Sequence, residues 1–308
     1  MPVSASIEIA PGVHMPRIGL GTHRIGGDVL VRCVHAAMDA IGDAGVLHVD
    51  TASCYNNEAA VGDAIESSSF PRERVFITSK IAPKEMGREK TPRAIDGMLS
   101  RLRVDALDLL LVHWPAAAKV SPDDRAAHRV ARRETWDAME RALAAGKCRA
   151  IGVSNYTIDH MTELLSHASV KPAVNQIEFH PRCPQREASA FCRERDIAVV
   201  AYSPLGVGAL IDDAAVKRAA MAFRCAPATC LIAWALRRGV AVLPKSATPE
   251  RAKENASLER ASDVVDRMDA AAGAVGGGGE ARDALEAMDA MGDGDGAEKY
   301  CWDPSVVR

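Results

Sequence analysis

Four side chains at two places in the chain are of the types that transfer protons. Between residues 46 and 80 the sequence reads VLHVDTASCYNNEAAVGDAIESSSFPRERVFITSK, which carries Asp50, Tyr55 and Lys80. Further on, an apolar run over residues 107–112 ends in His113 and Trp114. A phenol beside an ammonium that is itself paired to a carboxylate is a candidate general acid. The cation favours phenolate and is expected to lower the Tyr55 pKa from its ordinary value of about 10. Taken one at a time, these residues have everyday readings. Asp50 and Lys80 could form a structural ion pair, and His113 could be a satisfied histidine at a strand end. Cys54, next to the phenol, reads as a small packing residue.

What turns the group into a site is the set of elements that must position it. Asp50 closes one short β-branched run and Lys80 a second, with a helical pattern between them at Val61, Ala64 and Ile65. In a parallel βαβ unit the C-terminal ends of both strands fall on one edge of the sheet. The alternation continues: eight apolar strands, near 17–21, 46–49, 75–78, 107–112, 150–153, 173–177, 198–201 and 240–243, each precede a helical pattern. The helices are expected near 29–41, from 91, 134–145, 158–167, 185–195, 213–238 with a break at Pro227, and from Pro249. Eight such repeats predict a closed (β/α)8 TIM barrel, in which reactive groups gather at the C-terminal strand ends. An open doubly wound sheet is the alternative, disfavoured because no GxGxxG follows the first strand. Residues 5–15, turning at Pro11-Gly12, predict an N-terminal β-hairpin.

The chain has 308 residues, is 48% hydrophobic and has a formal net charge of −3. The whole of 1–308 reads as a single barrel domain with a C-terminal extension. The charge balance gives no case for a nucleic-acid partner, and no apolar stretch is long enough to span a bilayer. No secretory signal is evident at the N-terminus, so a cytoplasmic location is expected. The eight cysteines form no CxxC pair and read as reduced thiols, with no metal site. Residues 259–299 are rich in Ala, Gly and Asp; the glycine run within them reads as flexible linker, part of a Gly/Ala-rich insertion at about 273–296. Gly276 to Gly279 are expected in a mobile surface loop without catalytic residues, and 280–291 could form a short helix. The DGDG run lacks the remaining ligands of an EF-hand and reads as a solvated turn. Aromatic content returns at KYCWDP, which is expected to dock.

The sequence resembles the aldo-keto reductase family in three segments: Asp50-Thr-Ala-x-x-Tyr55-x-Asn57-Glu58-x-x-Val61-Gly62, then IGVSNY at 151–156, then LPKS at 243–246 with Arg251, Glu254 and Asn255. The resemblance runs from about residue 7 to 258 and includes the CWDP tail. It implies an NADPH-dependent reductase of aldehydes and some ketones, acting on a small-molecule carbonyl substrate, and a monomer is expected. Tyr55 would donate the proton, Lys80 would assist it, Asp50 would hold Lys80 and His113 would orient the carbonyl. Ser154, Asn155 and Gln176 would bind the carboxamide and Tyr202 would stack on the nicotinamide. Gly21, Thr22, Asp50, Ser203 and Leu205 would complete that side of the cofactor site. Lys245, Ser246 and Arg251 would take the 2′-phosphate, with Glu254 and Asn255 at the adenine. Their residue types suit a dianion, which charged donors at a helix start would bind. His23, Ala82, Trp114 and Trp302 would join Tyr55 and His113 around the substrate. His23 and Ala82 stand where many relatives carry aromatic residues, so a wider pocket is expected, and Val207 replaces a serine of some relatives. Two other readings compete. One is an NADPH-binding regulatory partner on the same fold, as in the potassium-channel β-subunits, disfavoured by the lack of a matching long N-terminal extension. The other is a Schiff-base lyase or isomerase using Lys80, disfavoured because a lysine held cationic by Asp50 is a poor nucleophile.

Overall fold

The computed structural model describes residues 3–42, 45–273 and 279–306. It opens on the antiparallel hairpin β1 (Ser6–Ala10) and β2 (Val13–Pro16). Then come β3 (Gly19–Gly21), α1 (Gly27–Ile41), β4 (Leu47–Asp50), α2 (Glu58–Glu66), β5 (Val75–Ile81), α3 (Lys90–Leu102), β6 (Leu107–Val112) and α4 (Arg125–Ala144). The series continues with β7 (Cys148–Ser154), α5 (Ile158–Leu165), β8 (Val174–Glu178), α6 (Arg186–Arg193) and β9 (Ala198–Tyr202). It ends with α7 (Ala214–Ala222), α8 (Pro227–Arg237), β10 (Ala241–Leu243), α9 (Pro249–Asn255), α10 (Leu258–Gly273) and α11 (Glu280–Ala290).

Strands β3 to β10 lie parallel and side by side in chain order. A parallel bridge between Ile18 and Val242 joins the first to the last, with the Val242 N–H donating to Arg17 O at 2.8 Å. The eight-stranded barrel with its hairpin is therefore the fold expected. Side chains alternate along each strand. On β5, Val75 and Ile77 pack outward with the helices, whereas Phe76 joins Leu109, Leu111, Ala150, Val174, Val200, Ala241 and Leu243 in a separate inner cluster. Ile9, Val13 and Met15 of the hairpin belong to that inner cluster, so the hairpin covers it from the far end. The same alternation puts His48 and Asp50 in register beside Phe76 and Thr78. The helices show the complementary stripe: α1 buries Leu30, Cys33, Val34, Ala37 and Met38, at helical spacing.

Two expectations fail. Helix α4 starts at Arg125, well before residue 134. The Asp124 carboxylate caps it by accepting the Ala127 N–H at 3.0 Å. Its first turns bury His128 and Arg132 rather than apolar residues, so the hydrophobic period is missing there. Helix α10 has no counterpart among the expected helices, whereas α11 matches the short helix expected at 280–291. Ala261, Val264, Val265 and Met268 on α10, and Ala284, Leu285 and Met288 on α11, form buried apolar stripes between acidic positions. Asp289 fixes α11 to the barrel layer by accepting the Trp234 Nε1–H at 2.8 Å and pairing with Arg238. Of the expected glycine loop, Gly276 to Gly278 lie outside the described residues, and Gly279 is exposed just before α11. Among the described residues no cluster of His, Cys, Asp or Glu could hold a metal ion, and no single helix is long and apolar enough to cross a membrane. All eight cysteines are free.

Candidate active site

The parallel strands bring the proton-transfer residues to one end of the barrel. Lys80 is fully buried; its Nζ donates to Asp50 Oδ1 at 2.5 Å and to Thr51 O at 2.8 Å. The other carboxylate oxygen of Asp50 accepts the Gln176 Nε2–H at 2.8 Å. Three strands, β4, β5 and β8, are thus joined through one carboxylate. A charged pair so deep is tolerated only when other groups share its hydrogen bonds, as Thr51 O and Gln176 do here.

Tyr55 ends a short helical turn that begins at Ser53, and Asn56 follows in the left-handed region at φ 55°. The turn is held on both sides. Ser53 Oγ donates to Glu85, and Thr51 Oγ1 donates to Asn57 Oδ1 at 2.7 Å. Asn57 Nδ2 in turn donates to the carbonyls of Thr22 and Ile25, at 2.8 and 2.7 Å. Glu58, also buried, accepts from Ser79 Oγ at 2.5 Å and from Arg101 Nε at 2.7 Å. At Gly62 a β-carbon would come within 2.9 Å of Leu102 O, so only glycine lets α2 and α3 approach this closely. The Asn57, Glu58 and Gly62 part of the motif therefore positions the tyrosine rather than touching a reactant.

The ring of Tyr55 lies 5.1 Å from Lys80 Nζ, 5.6 Å from the His113 ring and 4.8 Å from the His23 ring. Its pKa is pushed well above the usual value by burial, with the Asp50 charge adding to the rise. The expected lowering by Lys80 does not occur. Burial and the Asp50 carboxylate, which sits 2.5 Å from the ammonium, outweigh the pull of Lys80. Tyr55 keeps its proton at neutral pH, which is the state a proton donor needs. His113 moves the other way: burial, then the Lys80 charge, hold its pKa well below 6.5, so the imidazole is neutral. Cys54 Sγ lies 3.4 Å from His113 Nδ1, and burial raises the thiol pKa, which keeps its hydrogen. A thiol donating to Nδ1 leaves the hydrogen on Nε2. Sequence reasoning gave Cys54 only a packing role, since nothing local points to a partner 59 positions away.

The other anticipated residues fall into two groups. Ser154 Oγ donates to Gln176 O at 2.8 Å, Asn155 Nδ2 donates to His113 O at 2.9 Å, and the Tyr202 hydroxyl donates to Asn155 Oδ1 at 2.7 Å. Thr22 Oγ1 donates to Asp50 O at 2.9 Å, and the Gly21 N–H donates to Pro244 O at 3.0 Å, which puts the end of β3 next to Lys245. These residues form one network around Asp50 and His113. Gln176 Oε1 has no donor among the described residues, so it stays open to an amide N–H. The second group sits after β10. Ser246 is buried, while Lys245 and Arg251 are exposed and have no carboxylate partner among the described residues. Two uncompensated cations flanking a hydroxyl suit a phosphate dianion. Glu254 and Asn255 lie on α9 beyond them, without a hydrogen bond to the rest of the site among the described residues. Helix α9 has only seven residues, so any anion there would meet the cations more than a helix dipole.

The His113 imidazole stacks near Trp114, centroids 6.1 Å apart, and Trp114 meets Trp302 edge-on at 4.7 Å. Ala82 is 1% exposed and its N–H is taken by Glu85 at 2.9 Å, so it offers a pocket almost no surface. The turn after β9 begins at Ser203, whose Oγ lies 3.6 Å from Cys301 Sγ. It then passes half-buried Leu205 and exposes Val207.

A closed parallel barrel thus carries a protonated phenol over a buried ion pair, with two exposed cations just after β10. The model of the aldo/keto reductase family matches residues 17–272, and the chain belongs to this family. It is 38% identical over 276 residues to the glyoxal reductase of Bacillus subtilis, covering 88% of this chain and 94% of that one. Among solved structures, an aldo/keto reductase from Brucella melitensis superposes with a TM-score of 0.75 at 32% identity, covering 92% of this chain and 98% of its own. A second, an aldo-keto reductase complexed with NADPH, superposes at 0.72 with 27% identity, covering 86% and 88%. The protein is an NADPH-dependent oxidoreductase that reduces carbonyl groups.

Proposed function

We propose that Tyr55 donates the proton to the carbonyl oxygen of an aldehyde, or of some ketones, as the carbon is reduced to an alcohol. Bound NADPH supplies the hydride. Ser154, Asn155 and Gln176 hold the carboxamide of the cofactor, Tyr202 lies against its ring, and Gly21, Thr22, Ser203 and Leu205 line its path. Lys245, Ser246 and Arg251 take the 2′-phosphate, with Glu254 and Asn255 at the adenine end. Neutral His113 presents Nε2–H to the carbonyl oxygen and orients it beside the phenol. As negative charge develops on that oxygen, Lys80 stabilises it through Tyr55, and Asp50 keeps the ammonium in place. His23, Trp114 and Trp302 border the substrate.

The observation that carries this reading is the fully buried Lys80–Asp50 pair beneath the Tyr55 ring, since it costs stability and places a cation where an oxyanion forms. The test is Tyr55→Phe. NADPH binding, followed by fluorescence quenching, should persist, while reduction of glyoxal or another reactive aldehyde should fall by about 10²–10⁴-fold. Unchanged turnover would refute Tyr55 as the acid. The reading extends to a monomer working in the cytoplasm on small molecules rather than on membranes or nucleic acid. Eight free thiols suit a reducing compartment, and sedimentation would check the monomer.

A further inference from the structure

Glu178 ends β8, two residues beyond Gln176, and is fully buried. The carbonyl chemistry does not use it. Three of its four partners come from the far end of the chain. Oε1 accepts the Tyr300 N–H at 2.7 Å and faces His180 Nε2 at 3.1 Å. Oε2 accepts the Cys301 N–H at 3.2 Å and pairs with Lys299 Nζ at 3.0 Å. Burial alone would raise the carboxyl pKa, but the His180 hydrogen bond, the Lys299 charge and the Tyr300 amide outweigh it and bring it to about 2.

The other contacts of the tail are mostly at its surface: Arg182 pairs with Glu298 at 3.8 Å and the His180 ring meets the Tyr300 ring at 5.2 Å. A groove of about 730 Å³ runs beside it, lined by Thr157, Ile177, Arg182, Lys299 and Pro304 among others. Trp302 itself is 44% exposed. Tyr300 rests on Gly206, where a β-carbon would come within 3.0 Å of its ring, and the Glu298 N–H donates to Arg182 O at 2.8 Å. One residue past the carboxylate contacts, Trp302 meets Trp114, which in turn stands against His113.

We propose that Glu178 is a positioning residue that straps residues 299–301 to the barrel and thereby sets substrate preference, by holding Trp302 against Trp114 as one wall of the carbonyl site. The substrates favoured are aldehydes with a flat aromatic or apolar body, which such a wall contacts face or edge. This rests on the reading of His113 and Trp114 as the carbonyl side of the site.

The experiment compares the native protein with Glu178→Gln, Trp302→Ala and the double variant. Amide hydrogen exchange at Tyr300 and Cys301 reports the strap. The ratio of kcat/KM for 4-nitrobenzaldehyde to that for methylglyoxal reports the wall. In Glu178→Gln both amides should exchange faster, and the ratio should fall roughly 2–10-fold. Trp302→Ala should lower it as far, and the double variant no further, because the carboxylate acts through the tryptophan. Unchanged protection overturns the strap. Lost protection with an unchanged ratio, or additive losses in the double variant, overturns the link to specificity. If Glu178→Gln does not fold, Lys299→Met loosens the same carboxylate from the solvent side and takes the same readouts. A native protein with protected amides that reduces neither aldehyde overturns the functional reading instead, and this proposal falls with it.

Discussion

Replacing Lys80 by methionine separates what the buried pair does for stability from what it does for chemistry. The lysine side chain is 0% exposed and that of Asp50 5%. Methionine fills most of the same volume, so little cavity forms. What is lost is the cation at 2.5 Å, leaving a buried carboxylate with the Gln176 amide at 2.8 Å as its remaining side-chain donor. Breaking a buried pair in this way costs about 3–5 kcal/mol. At roughly 2–3 °C per kcal/mol for a chain of this size, Tm should fall by roughly 6–15 °C. Neutralising the partner as well, in Asp50→Asn with Lys80→Met, removes the stranded charge and should restore most of that loss. Carbonyl reduction should not recover: both variants should stay about 10²–10⁴-fold below the native protein, because nothing is left to stabilise charge through Tyr55. Calorimetry and NADPH oxidation with a reactive aldehyde measure the two effects on the same preparations. A double variant that regains turnover would reduce the pair to a structural one. A double variant as unstable as Lys80→Met would show that the cost is not that of an uncompensated charge.

Three other outcomes are expected. Arg251→Ala should weaken NADPH by about 1.5–3 kcal/mol, the worth of a charge-assisted contact, and NADH far less; equal losses in a titration of both would remove Arg251 from the 2′-phosphate site. Burial holds the His48 pKa down to about 4, against the opposing pull of Asp50. The unfolded chain protonates this histidine below about 6.5 and the folded one only near 4, so stability present above 6.5 drains by about 3 kcal/mol as the pH falls through that window; urea midpoints should drop accordingly, and less steeply in His48→Gln. Asp289→Ala strips the acceptor from Trp234 and the partner from Arg238, and should cost about 1–3 kcal/mol by urea unfolding without changing the KM for aldehyde.

The barrel was legible because its strands are short runs of Val, Ile and Leu, each ended by a polar residue, and an unbroken apolar run is what a strand buried on both faces leaves in a sequence. Tyr55, Lys80, Asp50 and His113 were legible for a related reason: strand ends are where the fold collects side chains. The direction of the Tyr55 pKa was not legible. It depends on how burial and Asp50 weigh against Lys80, which no sequence states. Helix α4 hid its first turns because it buries a histidine and an arginine, which look like surface. Helix α10 hid behind composition, since a stretch rich in Ala and Asp shows its helix only when its apolar members are seen to share a face. Glu178 looked like the plain end of a strand, because three of its partners lie more than a hundred positions away, at Lys299, Tyr300 and Cys301.

The join between β3 and β10 bears on how the chain is made. Arg17 Nη1 donates to Gly239 O across this seam at 3.2 Å, and the two residues are 222 positions apart. Until β10 exists, β3 and β9 are open edges of a curved sheet, with unpaired backbone groups that another chain could meet. At about 5–20 residues per second of synthesis, that interval lasts roughly ten to forty-five seconds, longer than most folding steps of a small domain. Both seam strands have three residues, and β3 reads Gly19-Leu20-Gly21. So short a ladder, two of whose three residues are glycine, is a poor template for a foreign strand. The weakest join in the barrel wall is thus also the edge that waits longest on the ribosome, and its brevity protects the nascent chain from its neighbours.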